Sequence, residues 1–121
     1  MAKKVENNEL MGLKVGNILN SCWGYEAEIY DFYEVVGVTK TMVKLRELKK
    51  KTAGQTAYPM YYGRLVAPIT EGEDRFTGEV LYRKPFNYSA NNDPRNTGVA
   101  ITSYAYAHLW DGKPRDEYNA H

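Results

Sequence analysis

The run Tyr30-Asp31-Phe32-Tyr33-Glu34-Val35-Val36-Gly37-Val38 decides how the rest of the chain is read. It is dense in β-branched and aromatic residues, which fit a pleated sheet far better than a helix, and it predicts a strand over 30–38. Thr39-Lys40-Thr41 is a tight connection. Met42 to Lys49 then alternates, with Val43 and Leu45 on one face and Lys44 and Arg46 on the other. Leu45 and Leu48 also permit a helix, but a short turn after a strong strand favours a hairpin.

Working outward, a strand is expected over 14–22, with Gly16-Asn17 as a bend, and Trp23-Gly24-Tyr25-Glu26 opens a loop. Thr52 to Thr56 reads as a flexible turn, and further strands are expected over 58–67, 75–84 with a bulge at Gly78, and 99–110. Between them lie an acidic loop, Thr70 to Asp74, and a turn-dense, asparagine-rich stretch over 85–98. Residues 1–12 form a short N-terminal arm, and 115–121 a polar C-terminal tail. The expected architecture is a single, mostly β domain over 1–121, a small antiparallel barrel or sandwich. Its opening pattern, from Val15 to Leu48, is SH3-like or Tudor-like.

The 121 residues suffice for one core. No apolar run approaches the ~20 residues that span a bilayer, and Met1-Ala2-Lys3-Lys4, with no apolar stretch after it, is not expected to be a signal peptide. The single cysteine, Cys22, makes no intrachain disulfide, so a cytoplasmic protein is expected. Sixteen basic residues face fifteen acidic ones, a net charge of +1. A duplex-DNA binder draws its affinity from a basic excess, so any electrostatic function here must come from local patches. Eleven tyrosines and two tryptophans stand out, supplying flat apolar faces with polar tips.

Trp23-Gly24-Tyr25-Glu26, Asp31-Phe32-Tyr33-Glu34-Val35-Val36, Val43-Lys44-Leu45-Arg46-Glu47-Leu48 and Leu109-Trp110-Asp111-Gly112-Lys113-Pro114 follow one another in this order. Together they resemble a family of small phage, prophage and mobile-element proteins, over residues 15 to 114. The resemblance carries over no catalytic residue. It implies an accessory role in a host cell, antagonising a defence system or serving phage metabolism.

No catalytic constellation is apparent. Cys22 would need a base and a positive environment to act as a nucleophile, and His108 is the histidine that could supply the base; a free cysteine in an apolar-leaning strand is instead expected to be an inert packing residue. Asp111 with Asp116 and Glu117, or Glu71 with Glu73 and Asp74, match no metal-site spacing, so no metal, no cofactor and no enzymatic activity are expected. The suggestive feature is the last expected strand. Tyr104, Tyr106, His108 and Trp110 share one face, and Ile101, Ser103, Ala105, Ala107 and Leu109 share the other. The aromatic row is core, a subunit interface or a stacking surface for bases. Lys44, Arg46 and Arg64 are the candidate phosphate contacts, although lysines on exposed strands also deter edge-to-edge pairing. The expected function is a non-catalytic accessory binding protein using Tyr104, Tyr106, His108, Trp110, Lys44, Arg46 and Arg64. Its partner is a host protein complex, a nucleotide or a nucleic acid, or a second copy of the chain. The alternatives are a nucleic-acid-binding barrel and an assembly protein.

Overall fold

The computed structural model describes residues 9–24, 27–61 and 63–119. Among these the chain is antiparallel β with three short 3-10 turns and no α-helix. The strands are β1 (Glu9–Leu10), β2 (Leu13–Lys14), β3 (Ile18–Trp23), β4 (Ala27–Val38), β5 (Val43–Leu48), β6 (Lys50–Gly54), β7 (Arg64–Pro68), β8 (Phe76–Arg83), β9 (Phe86–Asn87), β10 (Thr97–Thr102), β11 (Ala105–Leu109) and β12 (Arg115–Asn119). No helix among the described residues is long and apolar enough to cross a membrane.

The organising strand is β4, and its near-continuous apolar run reflects burial on both faces. Tyr33 and Val35 enter one core with Leu19, Val43, Leu45, Val99, Ile101, Ala105 and Ala107. Phe32 enters a second with Leu48 and Val66, flanked by Ile18, Tyr30, Phe76 and Trp110. On one edge β4 pairs with β3, and through it with β11, β10 and β9. On its other edge the partner changes: β5 pairs with residues 32–38, whereas β12 pairs with 27–28 and leads on to β7 and β6.

At that change of partner neither ladder reaches the backbone of Tyr30. The Tyr30 amide donates to Glu117 Oε1 at 3.1 Å, and its carbonyl accepts from Lys50 Nζ at 2.8 Å. Lys50 and Glu117 pair with each other at 2.9 Å, with 19% and 12% of their side chains exposed, and Arg64 adds a contact to Glu117 at 3.2 Å. Two side chains thus replace the missing rungs.

The expected barrel does not close. The sheet curls until β8 approaches β10, but no ladder joins them. Arg83 crosses the seam instead, its Nε and Nη2 donating to the Ile101 carbonyl at 3.3 and 3.1 Å. The guanidinium bridges the two strands where no backbone ladder does.

Strands expected over 30–38, 42–49 and 75–84 are present as β4, β5 and β8, and the bulge at Gly78 is real, with φ of 77°. Other expectations change. The strand over 14–22 is broken into β2 and β3 at Asn17, whose side chain accepts from the Lys14 amide at 3.0 Å. Thr52 to Gly54, expected as a turn, lies in β6. The strand expected from 58 begins only at Arg64, because Pro59–Tyr61 is a 3-10 turn. The span 99–110 is a hairpin, β10 and β11, turning at Ser103 and Tyr104. The polar tail is β12, bound on both edges. In the arm, Glu9–Leu10 pairs with Leu13–Lys14. Residues 1–8 of the arm, Tyr25, Glu26, Tyr62 and residues 120–121 of the tail lie outside the described residues.

Replacing Glu117 with Ala strands the Tyr30 amide and leaves Lys50 with only its longer contact to Asp31 Oδ1, at 3.6 Å. Because the pair is only partly buried, a loss of about 2–3 kcal/mol is expected in guanidinium denaturation, with Glu117→Gln losing less because its amide oxygen still accepts from Tyr30.

Candidate functional site

The outer face of the β9–β10–β11 sheet is built on small residues. Ala105 and Ala107 point into the first core, which turns Tyr106 and His108 outward on β11. Across the ladder, Tyr106 faces Ala100, His108 faces Gly98, and Gly98 faces Phe86 on β9. A Cβ at Gly98 would meet Phe86 Cζ at 2.8 Å and His108 Nε2 at 3.1 Å. Glycine is therefore the floor on which the two rings lie over the backbone.

Four rings form a continuous cluster there. Phe86 meets Tyr106 edge-on at 6.2 Å and Tyr88 edge-on at 5.2 Å. Tyr88 stacks on His108 at 5.8 Å and shares a 2.8 Å hydrogen bond between its hydroxyl and His108 Nε2. Such edge-to-face contacts each add roughly 0.5–1.5 kcal/mol beyond burial. Tyr88 is held by its loop: its amide donates to the Asn96 carbonyl at 2.8 Å. Asn87 secures that loop, accepting from the Ser89 and Asn91 amides and donating to the Asp93 carbonyl and Thr97 Oγ1. The asparagine density of 85–98 is a set of side-chain turns that fixes a tyrosine. Tyr88 remains 63% exposed and Tyr106 49%.

Of the expected aromatic row, Tyr106 and His108 stand together. Tyr104 sits in the hairpin turn, 66% exposed, its ring edge-on to Trp23 at 6.1 Å. Those two with Cys22 and Gly24 line a shallow cavity of ≈ 480 Å³. Trp23 is anchored by its indole N–H, which donates to Asp31 Oδ2 at 2.6 Å. Trp110 leaves the row altogether: its ring packs edge-on against Phe32 at 5.7 Å in the second core, and its Nε1 donates to the Lys113 carbonyl. Sequence reasoning missed Phe86, Tyr88 and Trp23 as members of this surface.

The expected cations lie elsewhere. In the register His108–Asn20–Phe32–Leu48, the buried Phe32 and Leu48 separate the aromatic cluster from β5. Lys44 and Arg46 stand on the β5–β8 side, over Tyr82 and Phe76. Arg64 is on β7, paired with Glu117. The carboxylates near the C-terminal strand are engaged as well: Asp111 pairs with Arg115 at 3.2 Å, and Asp116 accepts from Thr56 and from the Ala57 amide.

Cys22 is exposed, contrary to its expected role as a packing residue. Partial burial still pushes its thiol up, the Tyr30 hydroxyl draws it partly back and the Glu28 carboxylate pushes it further. Tyr30 is itself pushed up to about 12, chiefly by burial. His108, the candidate base, is turned to Tyr88. Neither partner makes thiolate available at neutral pH.

Compared with protein-family models, curated proteins and solved structures, the chain matches none.

An exposed but protonated thiol has a distinctive signature. Native Cys22 is expected to label more slowly than a free thiol at neutral pH and to accelerate as pH rises, without denaturant; labelling that requires unfolding would contradict the exposed position.

Proposed function

We propose that the protein is a non-catalytic binding module that seats a protein partner on the outer face of β9, β10 and β11. The observation that carries this is the Phe86–Tyr88–Tyr106–His108 cluster, in which Tyr88 and Tyr106 stand half or more in solvent, with no lysine, arginine or carboxylate among its members. Aromatic enrichment with charge depletion is the composition of an interface core, and rigid rings lose little entropy on binding. A nucleotide on this face has less support, because Lys44, Arg46 and Arg64 stand apart from it. The non-catalytic reading is supported by the protonated Cys22 and by the engagement of His108 with Tyr88.

The resemblance to phage and mobile-element proteins supplies the setting: an accessory protein in the host cytoplasm that antagonises a defence complex by occupying one of its surfaces. The SH3-like or Tudor-like opening belongs to the same proposal and rests on the order of strands β2 to β5.

Changing Tyr106 or Tyr88 to Ala should leave the far-ultraviolet spectrum that of wild type and lower stability only by the lost contacts, about 1 kcal/mol for Tyr106 and about 1–3 kcal/mol for Tyr88, which also loses its hydrogen bond to His108. Affinity for a host protein captured by the wild type should fall by roughly 2 kcal/mol or more in titration calorimetry if these rings are anchors. Unchanged affinity in both folded variants would place the partner elsewhere.

A further inference from the structure

Lys44 and Arg46 are not edge guards. Lysines protect a sheet by standing on a strand with an unpaired edge, but β5 is paired on both sides, with β4 and with β8. Nor are they half of ion pairs: among the described residues no carboxylate lies within ion-pair distance of Lys44, Arg46 or the exposed Lys84 that follows β8. Glu34, the carboxylate on neighbouring β4, is taken by Arg75 through two hydrogen bonds, at 2.9 and 3.1 Å.

The two cations are instead laid over rings. Lys44 Nζ sits 5.6 Å from the centre of Tyr82, and the Arg46 guanidinium 5.1 Å from that of Phe76. Gly37 makes the first possible, because a Cβ there would meet Lys44 Cδ at 2.8 Å. The bulge in β8 supports the second: Gly78 turns its carbonyl to accept from Arg46 Nε at 3.0 Å, leaving both terminal guanidinium nitrogens free of protein partners. Tyr82 keeps 53% of its surface in solvent. The face therefore combines two cationic residues spaced about 6.8 Å apart along the backbone of one strand with an accessible ring beside Lys44.

We infer that the outer face of β5 and β8 is a second binding site, separate from the aromatic cluster, for single-stranded nucleic acid. Lys44, Arg46 and Lys84 meet successive phosphates, and a base stacks on Tyr82. A net charge of +1 disfavours duplex, which is held by many phosphate contacts, whereas a single strand offers open bases to a ring as well as phosphates to a few cations. An acidic peptide would use the cations but gain nothing from the ring.

The test is fluorescence anisotropy of fluorescein-labelled oligothymidylate with the full chain at low ionic strength. Saturable binding is expected, weakening as salt rises. In Lys44→Ala and in Lys84→Ala the slope of log affinity against log salt should shrink by about 0.7 each. Tyr82→Ala should bind roughly tenfold more weakly with the slope kept, and Tyr82→Phe should restore the affinity. Tyr106→Ala should bind as wild type, which keeps this site distinct from the protein-binding face whatever becomes of that reading. The inference is overturned if no salt-sensitive binding occurs, if folded Lys44→Ala and Lys84→Ala keep the wild-type salt slope, if folded Tyr82→Ala binds as tightly as wild type, if oligoglutamate displaces the oligonucleotide at matched charge, or if Tyr106→Ala abolishes binding.

Discussion

The backbone of Tyr30 is where the structure has to solve its hardest local problem. A strand that changes partners along one edge leaves a peptide unit facing neither, and a buried amide or carbonyl without a partner costs about as much as several good contacts return. Here the Glu117 carboxylate accepts from the amide and the Lys50 ammonium donates to the carbonyl, and the two charges neutralise each other. Burying an ion pair is costly in itself, but these charges stay partly in water and each has a hydrogen-bonding task besides the pair. With that junction made, β4 can serve both sheets. Phe32 then fills one core while Tyr33 and Val35 fill the other, so the two cores share a wall and neither is complete without it.

The parts of this fold that the sequence announces are those that hold by burying apolar surface at a regular period. The run from Tyr30 to Val38 is legible because a strand covered on both faces needs apolar residues without interruption. β12 is invisible for the converse reason. Arg115-Asp116-Glu117-Tyr118-Asn119 looks like a solvated tail because its strand is held by what its charges bind: Asp116 at Thr56 and Ala57, Glu117 at Tyr30, Lys50 and Arg64. The hairpin at Tyr104 hides differently. Val99 faces Ala107 and Gly98 faces His108, so odd positions remain inside on both strands. The alternation runs through the turn as if no turn were there.

The candidate surfaces divide along the same line. That Lys44 and Arg46 share a face, and that Tyr106 and His108 share another, follows from a two-residue period and holds. Whether the two faces meet depends on which strands lie between, and Phe32 and Leu48 settle that by being buried in the interval. The recruitment of Phe86 and Tyr88 depends on a pairing with β10 across a loop of asparagine turns, for which no periodic signal exists. The trace it leaves in the sequence is an absence of side chain, Gly98, opposite the residues that need its space.

Because β12 wedges between β4 and β7, the order of synthesis matters. The ribosome makes β4 early and residues 115–119 near the close of the described chain. Until then the nascent protein carries Phe32 and Val66 under an incomplete cover and an unclosed strand edge at Tyr30. The first core draws on β10 and β11, which also come late. Neither core is complete until β10, β11 and β12 have been made, and until then the chain presents an apolar strand edge suited to capture by a chaperone.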